Sequence, residues 1–213
     1  MNTNEFDYYV VESDGSFTSP LLDVNNDVDS GGIRYLRKGI KVSDDTITHL
    51  TFGTPIPRKP AMVDFLDMRG RQVFSKKVYD VLKTKEINGL QLLPVVITSR
   101  RRQGGKNIMG ENIYTDYWIA NVYQEYAFLD PEKSEREGEI DEDGRWDMID
   151  SMVLDKDLMS KTPLKERLVF VSRENSAYVL YHKSIVDLIM SVNPQGIVFV
   201  PIEKWYNGIS YKF

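Results

Sequence analysis

The chain has 213 residues, of which 41% are hydrophobic and 28% charged, with a net charge of −5; that is enough for a packed core and sized for a single domain spanning 1–213. It contains no cysteine, which removes disulfides, thiol nucleophiles and cysteine zinc sites together and fits a reducing compartment. The longest uncharged runs, Ile87–Ser99 and Leu188–Ile202, each contain a proline and fall short of the ~20 apolar residues of a membrane helix. MNTNEFDYYVV lacks the basic and apolar regions of a signal peptide, so the expected location is cytoplasmic.

In chain order, DYYVVE (Asp7–Glu12) predicts a first strand. DVNNDVDSGG (Asp23–Gly32) fails as a calcium loop, with Val28 where the glycine belongs and Arg34 where the bidentate acid belongs. Thr54–Pro60 holds three prolines and reads as a connection. MVDFLD (Met62–Asp67) predicts a strand. Its Asp64 and Asp67 are candidates for a carboxylate pair, although strand alternation puts residues three apart on opposite faces.

An internal repeat follows. At an offset of 107, KKVYDVLKTKEINGLQLLPVVI (Lys76–Ile97) lies without a gap over KSIVDLIMSVNPQGIVFVPIEK (Lys183–Lys204). Lys76/Lys183, Asp80/Asp187, Gly89/Gly196 and Pro94/Pro201 coincide, as do eight apolar positions. Each copy predicts a helix with an apolar stripe, a glycine turn and a short apolar strand bearing a late proline. Ser75 reads as one N-cap, and Ser184 with Asp187 as a capping pair. His182 aligns with Ser75, which assigns it a structural role at a helix start.

SRRRQGGKN (Ser99–Asn107) reads as a basic loop in a wide hairpin, and YTDYWIANVYQEYAFL (Tyr114–Leu129) as a central strand. Gly104–Asn107 is not a phosphate loop. From Asp130 to Asp157 twelve acids face four bases, a local charge of −8. Within it Glu139, Asp141, Asp143, Gly144 and Asp150 approximate a calcium loop, but the acids at both ends have the wrong length; a turn between strands is expected. VFVS (Val169–Ser172) predicts a strand before the second copy. With strands many and helices few, the class is α+β, with a mostly antiparallel sheet and two related helix–Gly–strand–Pro units.

The two histidines, His49 and His182, stand far apart in sequence, and no motif supports a zinc site or a catalytic triad. No catalytic residue, metal or cofactor is therefore expected. A binding protein is the better reading; a hydrolase using Asp64 and His49 is the weaker one.

Four segments resemble a bacterial polymorphic-toxin immunity family typified by a myxobacterial immunity protein: YWIANV (Tyr117–Val122), FLDPEKS (Phe128–Ser134), TPLKERLVFV (Thr162–Val171) and HKSIVDLI…GIVFVPI (His182–Ile202). The resemblance runs from about Asp64 to Trp205. The family's Leu-Asp-x-x-x-Ser segment is matched by Leu129, Asp130 and Ser134, and its carboxy-terminal unit by Asp187, Gly196, Phe199 and Pro201. These are mainly framework signals. The resemblance implies an α+β antitoxin, held in the producing bacterium's cytoplasm, that binds a cognate toxin domain and needs no active site, nucleic acid or membrane. The basic 99–107 and acidic 135–147 stretches depart from the family pattern. The acidic one is the expected docking surface, with Glu135, Glu137, Glu139, Asp141, Glu142 and Asp143 supplying charge, and Trp146 and Met148 apolar anchors. Arg100, Arg101, Arg102 and Lys106 form the alternative interface. The runner-up function is a non-catalytic interaction or adaptor module.

Overall fold

The computed structural model describes residues 4–17, 19–24, 36, 39–52, 61–68, 70–103 and 106–209, with backbone alone at Arg101, Arg102, Lys106 and Asn107. Thr54–Pro60, Gly104–Gly105 and most of Asp23–Gly32 lie outside the described residues. Strands make up 45% of the described residues and helices 14%, and the sheets are largely antiparallel, so the class is α+β.

Two sheets carry the fold. The first contains β2 (Leu22–Val24), β3 (Thr48–Phe52), β4 (Phe65–Met68), β5 (Arg71–Ser75), β6 (Leu90–Gln103) and β7 (Lys106–Val122), ordered β2-β3-β6-β7-β5-β4. The second contains β1 (Tyr8–Ser13), β8 (Glu125–Tyr126), β11 (Val169–Ser172), β12 (Val179–His182) and β13 (Ile197–Pro201), ordered β13-β1-β12-β11-β8. Helix α1 (Lys76–Leu82) follows β5, α2 (Lys156–Met159) precedes β11, and α3 (Lys183–Met190) follows β12. The remaining strands, β9 (Glu135–Ile140) and β10 (Trp146–Ser151), form a separate hairpin.

The repeat is realised in three dimensions. In both copies a strand, a helix, a glycine turn and a second strand follow in order, at the same offset: β5–α1–β6 and β12–α3–β13. The register extends the match beyond the repeated segments. Trp118 of β7 sits between Phe74 and Pro94; Tyr9 of β1 sits between Tyr181 and Pro201. β1 therefore fills in the second sheet the place that β7 fills in the first. The second unit is permuted, its central strand coming from the other end of the chain.

Both turn glycines are required by geometry. Gly89 and Gly196 have φ of +83° and +81°, and a Cβ there would lie 2.3 Å from Gln124 Cβ and 2.4 Å from Val63 Cγ2. The helix starts differ between copies. Ser75 occupies the N-cap position of α1, but its hydroxyl donates to Asp64 instead. His182 caps α3, its Nδ1 accepting the Ser184 N–H at 3.2 Å. The Ser184–Asp187 capping pair is thus replaced: Asp187 pairs with Lys183 at 2.6 Å, as Asp80 pairs with Lys76 at 2.6 Å.

Three apolar clusters follow from strand alternation. Phe65, Phe74 and Val78 of the first unit meet Tyr181, Ile185 and Ile189 of the second, with α1 packed on α3. The other face of the second sheet (Tyr8, Phe170, Leu180) is covered by Phe128, Trp146, Ile149 and Met159. Leu66, Val73, Leu93 and Ile119 line the other face of the first sheet, with Leu22 and Leu36.

Two expected elements differ. The basic stretch is not a wide loop: β6 and β7 stay paired from Arg100↔Met109 to Gln103↔Lys106. The expected strand Tyr114–Leu129 stops at Val122, and Glu125–Tyr126 then joins the other sheet beside β11.

Candidate functional site

The acidic segment is a strand–turn–strand projection. Glu135 pairs with Ser151, Arg136 with Ile149, Glu137 with Met148 and Ile140 with Trp146. Asp141 closes the turn with its own side chain, Oδ1 accepting the N–H groups of Asp143 at 2.9 Å and Arg145 at 2.7 Å. Gly144, at φ +78°, completes it. The calcium-loop oxygens are thereby strung along two antiparallel strands, and among the described residues no group of three or more His, Asp or Glu is placed to hold a metal.

Anchoring comes from the face turned to the second sheet. Ile149 is fully buried, and Trp146 is only 5% exposed. Trp146 N–H donates to the Glu174 carbonyl at 2.7 Å, and the Arg136 guanidinium lies 5.5 Å over its ring. This corrects the role expected for Trp146: it holds the hairpin down and has no surface to offer a partner. The cause is a register shift between Trp146 and Met148, which turns two residues of nominally equal parity to opposite faces. Met148 is 42% exposed and Ile140 43% exposed, beside the exposed Glu135, Glu137, Glu139, Asp141, Glu142 and Asp143. None of these six acids is in an ion pair among the described residues.

The resemblance motif lies at the base of this hairpin. Leu129 N–H donates to the buried Glu174 carboxylate at 2.8 Å. Asp130 Oδ1 accepts from Glu132 and Lys133 N–H groups, and the Ser134 hydroxyl donates to the Val153 carbonyl while accepting from Val153 N–H. These residues position the projection and leave its charged face free.

The alternative surface is the far end of the β6–β7 ribbon. β3 stops pairing with β6 at Thr98 and β5 stops pairing with β7 at Tyr117, so beyond these points the two strands pair, among the described residues, only with each other. Arg100 is half-buried opposite Met109, Arg101 and Arg102 face Ile108 and Asn107 across the ladder, and Lys106 ends it. Ile113, 64% exposed, adds an apolar point.

Asp64, Asp67 and His49 are not brought together as a reactive set. Asp64 accepts the Ser75 hydroxyl at 2.6 Å, the Gln195 N–H at 2.8 Å and the Lys77 ammonium at 3.3 Å. Asp67 accepts the Gly70 N–H of its own turn at 2.9 Å. A cavity of about 380 Å³ beside Asp64 is lined by Ser75, Lys76, Lys77, Thr115, Asp116 and Tyr117 among others, and by no histidine among the described residues. His49 lies on β3, part-exposed. Sequence reasoning missed one buried cation, Arg167, fully enclosed: Nη1 donates to the Glu5 carbonyl at 2.7 Å and the Tyr8 hydroxyl at 2.9 Å, Nε to the Thr162 carbonyl at 2.9 Å, and Nη2 reaches the Glu5 carboxylate at 3.0 Å. Nothing local in TPLKERLVFV distinguishes it from the exposed Lys165 two residues earlier.

No protein-family model matches the chain, and no curated protein matches it. Among the described residues no helix is long and apolar enough to cross a membrane.

Proposed function

We propose that this protein is an immunity protein: it binds a cognate toxin domain in the cytoplasm of the producing bacterium and blocks it. The observation that carries the reading is the anchored β9–β10 hairpin. Six exposed carboxylates, without ion pairs among the described residues, stand on a projection pinned by Trp146 and Ile149, with Met148 and Ile140 among them. Uncompensated like charge on a pinned hairpin is costly for the fold alone and useful for steering a basic partner. A nuclease-type toxin, whose groove is built for phosphates, has the matching chemistry. The segments that resemble immunity proteins point the same way. Neither a cofactor nor nucleic acid is required.

The test is association kinetics with the toxin domain encoded beside this gene. The variant Glu137→Gln, Glu139→Gln, Asp141→Asn, Glu142→Gln, Asp143→Asn keeps an acceptor at position 141 for the turn. Its association rate should fall by about tenfold or more at low salt, with a flatter salt dependence and a melting temperature no lower than the parent's. Unchanged kinetics in that variant, with binding lost on Arg100→Ala, Arg101→Ala, Arg102→Ala, would move the interface to the ribbon. Absence of binding by the unmodified protein would end the immunity reading.

A further inference from the structure

Hydrogen-bond parity along β13 exposes a feature that the toxin reading leaves unused. Asp14 N–H donates to the Gly196 carbonyl at 3.1 Å, and the ladder runs Ser13↔Ile197, Val11↔Phe199, Tyr9↔Pro201. Inward and outward residues alternate in an antiparallel ladder. Val198 and Val200 therefore give their backbone groups to β1, while Ile197, Phe199 and Pro201 turn theirs outward. Proline fits that parity, since its missing N–H falls on the outer side.

The twin strand is treated differently. The outer side of β6 carries β3 in parallel, from Thr48↔Val95 to Thr51↔Thr98. β13 instead ends its sheet, and among the described residues no strand or hydrogen bond reaches its outer side. Its sequence, IVFVP, carries no charge, and Val198 and Phe199 are only partly buried. An uncharged open edge is a template for another strand, and Pro201 is the sole usual protection present on β13.

We propose that β13 pairs antiparallel with β13 of a second copy of this chain, across a two-fold axis at Phe199, so that the two five-stranded sheets become one. The strand is self-complementary in this register. Each Phe199 donates to and accepts from its mate, and each Ile197 N–H meets the mate's Pro201 carbonyl. Every outward N–H finds an acceptor, and Pro201 is needed only as one. The pairing is confined to Ile197–Pro201, because Gln195 already bonds Asp64 on that side and Ile202–Lys204 forms a 3₁₀ turn. Two short edges bury less than the ~1,200 Å² of a standard interface, so the dimer is a weak one that forms at high concentration.

The experiment needs only the protein itself. Mass by sedimentation and amide exchange by NMR are followed from about 5 μM to about 1 mM, the range in which a weak dimer of this kind forms. The mass should rise toward twice the monomer's. Ile197 and Phe199 amides should exchange fast when dilute and slowly when concentrated, with Val198 and Val200 protected throughout. Phe199→Lys and Phe199→Glu should each remain monomeric, and an equimolar mixture should recover the dimer, which also shows both variants to be folded. A monomeric mass across the range overturns the proposal. So does protection of the Ile197 and Phe199 amides in dilute solution, or a dimer that survives Phe199→Lys.

Discussion

Removing the carboxylate of Asp64 tests how the two repeated units are held together. Asp64 precedes β4, while Gln195 precedes the glycine turn of the second unit; their backbones also bond, Asp64 N–H donating to the Gln195 carbonyl at 3.0 Å. Lys77 spans the same junction, its ammonium 2.8 Å from the Asn193 carbonyl. A hydrogen bond to a charged group contributes about 1.5–3 kcal/mol. The Lys77 share is small because that side chain is 44% exposed, which leaves the Ser75 and Gln195 bonds as the main loss in Asp64→Ala. The expected cost is about 2–4 kcal/mol, or a fall in Tm of roughly 4–16 °C for a chain of this size. Burial is the largest single influence on this carboxyl and pushes its pKa up. The bonds from Ser75, Gln195 and Lys77 together outweigh it and hold the pKa below the ordinary aspartate value. A depressed folded-state pKa means that the stabilisation is complete above the unfolded value near ~4 and is lost as pH falls through the lower folded one. Urea denaturation of the parent, Asp64→Ala and Ser75→Ala, with the double variant, should give a coupling energy of about 1 kcal/mol or more between the pair at pH 7 that shrinks below about pH 4. Additive effects, or a Tm within about 1 °C of the parent for Asp64→Ala, would refute the clamp.

Gly89→Ala and Gly196→Ala combine a left-handed backbone with a Cβ clash and should each cost about 2 kcal/mol or more by urea denaturation; Gly144→Ala, where a Cβ meets nothing within 4 Å, should cost about 1 kcal/mol. Arg167→Lys keeps the charge but loses the fork that serves Thr162, Glu5 and Tyr8, and should lower stability by about 3 kcal/mol or more, measured the same way. Burial, against the hydrogen bond to the Asn4 carbonyl, lowers the pKa of His182. The neutral ring's contribution is therefore full above the unfolded value near ~6.5 and lost as pH falls through the lower folded one, so a urea midpoint that declines on acidification in the parent should decline less in His182→Asn.

What was legible in the sequence is what local physics writes. The apolar stripe from Ile185 to Ile189, the glycines that need positive φ and the late prolines all act within about twenty residues, and they sufficed for both repeated units. The N-terminal strand was equally legible, but not its place: nothing in YYVVES states that it will lie between β12 and β13, because that pairing is specified by shape across most of the chain. The hairpin of β6 and β7 was legible, but not the pairing of Arg100–Gln103, because a charge run reads as a solvated loop. On the acidic hairpin, Trp146 and Met148 read alike as apolar anchors, and a register shift separates them. Bulges are backbone irregularities that a side-chain pattern does not announce. Arg167 had no signal at all, since burial of a cation depends on carbonyls gathered from residues 5 and 162.

The permuted second unit also orders events in time. As the chain leaves the ribosome, β4, β5, α1, β6 and β7 emerge in succession, so the paired core of the first sheet is available once Val122 is out. The second sheet has no such option. β1 is made before the first sheet, yet both of its neighbours are made after it, and its apolar Tyr8, Val10 and Val11 stay uncovered until they emerge. Closing that sheet requires a loop nearly as long as the protein, the kind of non-local pairing that slows folding. The second unit is thus the late-forming half of the molecule, and it carries the sheet on which the acidic hairpin rests.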